Sequence, residues 1–345
     1  MTAAIPDTLS AEPGTGPSGN DRVTKLRRRL LNSSPALMSV VLALLILFFS
    51  IANPSGFATF ANARNILMDT AILLVMAVGV TFVMVAAGFD LSIGSVLVFA
   101  QVCSVKVMGA MGDQGLSTML VGLLVAIVAG SAWGLFNGWC IAKLKVPALI
   151  TTLGSLGAAL GFAYLLTGGN DVRTVPKLMR TLNSQNFLGI KWIVWIALIV
   201  TVIGGLVLAL TKFGRHTYII GSNTEAARRA GINVDKHLIK LYMLCSTLAG
   251  LAGFLSLLRY GTTTISGHGT DSLAVITGVI LGGTSLFGGS GLMAGTVVGL
   301  FIPTVLNNGF VVMNVPAFWQ QVAIGLILIA AVYLDQLKRR RREQP

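Results

Sequence analysis

Apolar runs of bilayer-crossing length follow one another from residue 37 to residue 335, with no polar domain between them. A spanning helix needs roughly 17–25 apolar residues. Ten segments are candidates: 37–52, 66–87, 92–111, 117–141, 148–167, 192–211, 239–259, 272–287, 292–312 and 317–335. Backbone in hydrocarbon must satisfy its own hydrogen bonds, so runs of this length fold as helices. The chain therefore reads as an all-α integral membrane protein with about ten transmembrane helices. The first and eighth segments are short, and the pairs 66–111 and 272–312 also read as broken helices. Composition agrees: 54% of residues are hydrophobic and 11% charged, against about 25% charged in an ordinary soluble domain.

The net charge of +13 would point to nucleic acid in a soluble chain. Here the charge sits in short segments between the runs, which is the pattern that orients a membrane protein. With the N-terminus in the cytoplasm and ten crossings, 18 of the 25 Lys and Arg fall on inner segments and six on outer ones, with Lys106 inside a span. Both termini are therefore expected inside, with lipid as solvent and no nucleic acid as partner. The outer loop 168–191 runs against this bias, since it holds Arg173, Lys177, Arg180 and Lys191. Three parts follow: a cytoplasmic tail over 1–36, disordered to about residue 20; a membrane domain over 37–335; and a basic tail over 336–345. The basic run "RVTKLRRRL" lies too far in, and "SIANPSG" fits a cleavage site too poorly, for a signal peptide. Cys103, Cys140 and Cys245 have no CxxC spacing and read as packing residues.

The longest internal polar segment, 212–238, lies inside on this topology. Within it "SNTE" reads as a capping box with Ser222 as N-cap and Glu225 three residues on. Gly231 is a stop signal, so a short helix is expected over about 223–230. Two turns of helix are marginal alone and need a surface to pack on. A weak internal repeat also shows. "VMVAAGFDLSIGSVLVFA" (83–100) and "VILGGTSLFGGSGLMAGT" (279–296) each read as helix, Gly/Ser-rich break and helix. Transporter folds place discontinuous helices in corresponding positions of repeats. Breaks are expected near 88–95 and 282–291.

An aspartate costs about 2.5–3.5 kcal/mol in the bilayer centre, and Asp90 stands in the first break. It can cap a helix starting at Leu91, or line a pathway with Ser92, since irregular backbone is tolerated where it lines a cavity. Gln101, Asn137, Thr152, Asn307 and Asn308 are further candidates for a pathway, although each alone reads equally as interhelical packing. No GxxxxGK[ST], HExxH or GxSxG motif occurs, and His216, His237 and His268 lack ligand spacing. The residues therefore support no enzyme, no resident cofactor and no metal.

With "GFDLSIGS" (88–95), "NGWCIAKLKVPALITTLGSL" (137–156), "LTGG" (166–169), "GSNTEAARRAGINV" (221–234), "VILGGTSLFGGSG" (279–291) and "LNNG" (306–309) in this order, the chain resembles the permease subunits of bacterial ABC importers of the ribose type. The resemblance covers about residues 60–335. It implies a permease pair, a cytoplasmic ATPase pair that uses ATP and Mg2+, and an extracytoplasmic sugar-binding protein. It also implies that Glu225, Ala226, Ala227, Arg228, Arg229 and Gly231 form the loop docking on the ATPase. No IxLP follows at the usual distance; "LIKLYM" stands there instead, as is common in the ribose branch. An ion-coupled secondary transporter is the alternative. It would need intramembrane ionisable groups, and Asp90 and Lys106 stand out.

Overall fold

A computed structural model describes residues 34–343. The basic run at 22–30 and the expected tail up to residue 33 lie outside the described residues. The chain forms thirteen helices among them: α1 (Ser34–Ala52), α2 (Phe60–Val85), α3 (Ile93–Met111), α4 (Leu116–Ala142), α5 (Ala148–Thr167), α6 (Lys177–Ser184), α7 (Trp192–Leu210), α8 (Lys212–Ser222), α9 (Thr224–Arg229), α10 (Val234–Tyr260), α11 (Asp271–Leu281), α12 (Met293–Val312) and α13 (Ala317–Glu343). A two-residue hairpin, β1 (Asn186–Phe187) with β2 (Ile190–Lys191), leads into α7.

Among the described residues eight helices are long and apolar enough to cross a membrane, and two shorter apolar stretches, Asp271–Leu281 and Phe318–Tyr333, join them. Each apolar run of the sequence thus becomes a helix. The eighth differs most, because α11 stops at Leu281 and the rest of its run becomes a break. Burial orders the bundle: 83% of the apolar window of α2 and 72% of that of α10 are buried, against 11% for α1 and 22% for α4. The first two are central and the last two peripheral.

Small residues set the closest packing. "GSAWGLFNG" places Gly130, Gly134 and Gly138 at four-residue spacing on one face of α4, against α10. A methyl group on Gly134 would stand 2.6 Å from the Met243 Cα, and one on Gly138 2.7 Å from the Ile239 Cα. In lipid, dispersion contacts of this kind replace the hydrophobic effect as the glue between helices.

Both expected discontinuities are present. One separates α2 from α3 at 86–92 and the other separates α11 from α12 at 282–292. The first reaches back into the bundle. Gly79 of α2 lies against Cys245 near the middle of α10, and Phe89, ten residues further on, still meets Tyr242 one turn away. The chain has turned back on itself at residues 86–89, so α3 begins within the bundle.

Candidate functional site

Asp90 sits in the first break, wholly buried. Its Oδ1 accepts the Ser92 backbone N–H at 2.9 Å and the Ser92 hydroxyl at 2.6 Å. The expected cap is corrected here: α3 starts at Ile93 rather than Leu91, and Ser92 occupies the cap position. Asp90 stands two residues ahead of Ser92, so its carboxylate closes an Asx turn onto that residue. The Ser92 hydroxyl accepts from Asn137 Nδ2 at 3.0 Å, and Ser155 donates its hydroxyl to Asn137 Oδ1. A buried polar chain thus ties the break to α4 and α5. Tyr242 holds the other side, accepting the Phe89 N–H at 3.3 Å and donating to the Phe89 carbonyl at 3.2 Å.

The second break packs on the first. The Gly289 N–H donates to the Val85 carbonyl at 2.9 Å, and Gly288 lies against Ala87. The C-terminal turn of α8 closes over this joint. A methyl group on Gly221 would stand 2.7 Å from the Gly289 nitrogen and closer still to the Val85 carbonyl oxygen. Tyr218, one turn earlier, donates its hydroxyl to the Gly291 carbonyl at 2.7 Å. The two breaks and the end of α8 therefore form one backbone-to-backbone junction.

α9 extends directly from it. The expected cap shifts by one residue: Asn223 Oδ1 accepts the Ala226 N–H at 2.9 Å, whereas Ser222 ends α8. An extra helix through Lys212–Ser222 leaves Asn223 as the first non-helical residue, with the extended backbone that an N-cap needs. At the other end Gly231 has φ +80, and the Gly231 and Ile232 N–H groups bond the Arg228 and Ala227 carbonyls, which is a Schellman stop. Ala227 is buried against Ile220 and Val234, so the helix has a packing surface within the chain. Glu225, Ala226, Arg228, Arg229 and Gly231 stay exposed. Asp235 braces this region to the α4–α5 turn, with Lys145 at 2.9 Å, Lys143 at 3.6 Å and Arg228 at 3.7 Å.

A cavity of about 440 Å³ lies between α2, α10, α11, α12 and α13. Asn65, Asp69, Arg259, Tyr260, His268, Asp271 and Asn307 are on its wall. Arg259 Nη2 meets Asp69 Oδ1 at 2.7 Å, and His268 Nδ1 meets Asp271 Oδ2 at 2.6 Å. Asp271 on its wall precedes Ser272, whose hydroxyl accepts the N–H of Gly94 in the first turn of α3 at 2.9 Å.

The structure thus brings Asp90, Ser92 and Asn137 together, and places Asn307 on the cavity wall. Asn308 also lines the cavity but is engaged in a reciprocal amide pair with Asn62, at 2.8 and 2.9 Å. Thr152 bonds its own helix, at the Ala148 carbonyl. Gln101 is buried with neither amide atom paired among the described residues. Ser155, Tyr242, Asp69 and Arg259 are the members that sequence reasoning missed. Asp69 was legible as a second acid inside an apolar run; the other three gain meaning only from long-range contacts.

The model of a family described as the permease component of a branched-chain amino acid transport system matches residues 62–332, which takes in both breaks, α8 and α9. The chain belongs to this permease family. It is 34% identical over 304 residues to the ribose import permease protein of Escherichia coli (strain K12), covering 87% of this chain and 93% of that one. It is 33% identical over 299 residues to the autoinducer 2 import system permease protein of Salmonella paratyphi B (strain ATCC BAA-1250 / SPB7), covering 86% and 85%. No solved structure matches it. The permease is an inner-membrane transport component and not an enzyme; ATP hydrolysis belongs to a separate subunit, and a binding protein serves the same system.

Proposed function

We propose that this permease translocates a monosaccharide or related small polar solute, delivered by an extracytoplasmic binding protein, by alternating access. It crosses the membrane ten times with both termini in the cytoplasm, and two copies pair to form the pathway. A partner ATPase uses ATP and Mg2+, and this chain holds neither. On this topology the cavity is the outer vestibule, and the 86–92 and 282–292 breaks with α8 and α9 form the cytoplasmic end. Ribose and autoinducer 2 import by the relatives supports the solute class.

The observation that carries the reading is the junction of Val85, Gly221 and Gly289. The ATPase docks on exposed Glu225, Ala226, Arg228 and Arg229 and on the Gly231 stop, with Ala227 anchoring the helix beneath. Because α9 follows α8 after the single residue Asn223, a displacement of α9 reaches both breaks through backbone contacts. The polar chain Asp90–Ser92–Asn137 closes the pathway below the vestibule, and Gln101, Thr152, Asn307 and Asn308 lie along or beside it.

Uptake into vesicles holding the permease, its ATPase and its binding protein tests this. Accumulation should require ATP and survive collapse of the ion gradients at constant ATP. Uptake that collapses with the gradient would contradict the proposal and make Asp90 an ion-coupling carboxylate.

A further inference from the structure

The outer vestibule has a composition of its own, and resting on the permease reading above, we infer that it is a selecting station for the solute. It admits neutral polyhydroxylated molecules and turns anions away. At about 440 Å³ it falls within the range of small-molecule sites, roughly 300–1,000 Å³. Its polar groups are of the kinds that bind vicinal hydroxyls. Carboxylates accept, and the amides of Asn65 and Asn307 both donate and accept. Neither amide has a described partner of its own, so both are available.

The charge on the wall determines what is excluded. Two carboxylates, Asp69 and Asp271, face one guanidinium, Arg259, and one imidazole, His268. With both carboxylates ionised the sum is negative beside a neutral imidazole and zero beside a charged one, so the wall offers no surplus cation. Nor is Arg259 open to an anion. Its Nη2 is held 2.7 Å from Asp69, its Cζ lies 5.1 Å from the Tyr260 ring centroid, its side chain is only 12% exposed, and its Nη1 is sealed from solvent. A phosphorylated sugar would lose its hydration and gain no cation.

Selection here is coupled to the moving part. Asp271 precedes Ser272, whose hydroxyl holds the Gly94 N–H at 2.9 Å. A solute that touches Asp271 is one residue from the Ser272 contact with the first turn of α3.

The test uses Asn307→Cys, with Asn65→Cys as a second site. Both side chains are exposed. Vesicles holding the whole transporter are treated from outside with membrane-impermeant thiol reagents, one cationic and one anionic, at pH 8. Rates are normalised to those with free cysteine. The cationic reagent should react at least about fivefold faster, the ratio that a modest local potential produces. Complete labelling should cut uptake at least about fivefold, while wild-type vesicles under the same treatment keep theirs. Equal rates for the two reagents, or full uptake after complete labelling at both sites, would overturn the inference while leaving the permease reading intact. Wild-type vesicles that accumulate none of D-ribose, D-xylose, D-glucose and myo-inositol would instead overturn the sugar reading, and the station with it.

Discussion

Gly221→Ala perturbs the junction with one methyl group. Its Cβ would stand 2.7 Å from the Gly289 nitrogen, and 3.4 Å is the start of ordinary contact. The two backbones must part by at least about 0.7 Å, and the Val85 carbonyl requires more. The obstruction is backbone on both sides, so no side-chain rotation relieves it. Overpacking of this kind costs about 1–3 kcal/mol, and loss of the 2.9 Å Gly289–Val85 hydrogen bond adds about 1 kcal/mol. The total, about 2–4 kcal/mol, falls on the end of α8 and the two breaks, whereas the Gly130–Gly138 contacts that hold α4 on α10 involve neither Gly221 nor Gly289. Membrane insertion and recovery of the ATPase should therefore persist while ATP-driven uptake falls at least tenfold. Gly157→Ala, whose added methyl meets nothing within 4 Å, is the control and should change neither. Uptake at the wild-type rate in Gly221→Ala would refute the claim that this contact transmits the motion.

Glu225→Lys reverses an exposed charge in the first turn of α9 and should abolish uptake with insertion intact, as read by vesicle uptake and immunoblot. Gly231→Pro should do the same, because φ +80 is closed to proline and the N–H bonded to Arg228 is lost, at about 3 kcal/mol or more. Tyr242→Phe removes the hydroxyl that both accepts from and donates to Phe89; a destabilisation of about 1–2 kcal/mol should appear as a lower midpoint in a detergent thermal-aggregation assay. Gln101→Leu replaces a buried amide without a described partner and should raise that midpoint, by about 1–2 kcal/mol in stability; a lower midpoint would mean that the amide is engaged.

The helices were legible because runs of this length have only one folded form in lipid. Their ends were less so. α10 starts at Val234, five residues before its apolar run, since Asn233 caps it through a bond to the Lys236 N–H. α8 carries no clear signal in the sequence because "KFGRHTY" mixes charge with apolar residues, yet Gly214, Thr217 and Ile220 are buried on one side. The breaks announced themselves by Gly and Ser, but not that they would meet: residues 85 and 289 share no local signal. For Asp90 the residue type showed a polar element at depth, while its actual bond, back to Ser92, depended on where α3 starts. Asp69 and Arg259, 190 positions apart, became a site only through folding. The resemblance supplied a role for α9 that periodicity alone could not.

The role proposed for α9 is that of ATPase contact. It is tested most directly by recovering the tagged permease from mild detergent and identifying by mass spectrometry what comes with it, for the wild type and for Glu225→Lys. An ABC ATPase subunit should come with the wild type and be lost from the variant. A permease that runs alone or only with itself, or an ATPase retained equally by Glu225→Lys, would contradict it.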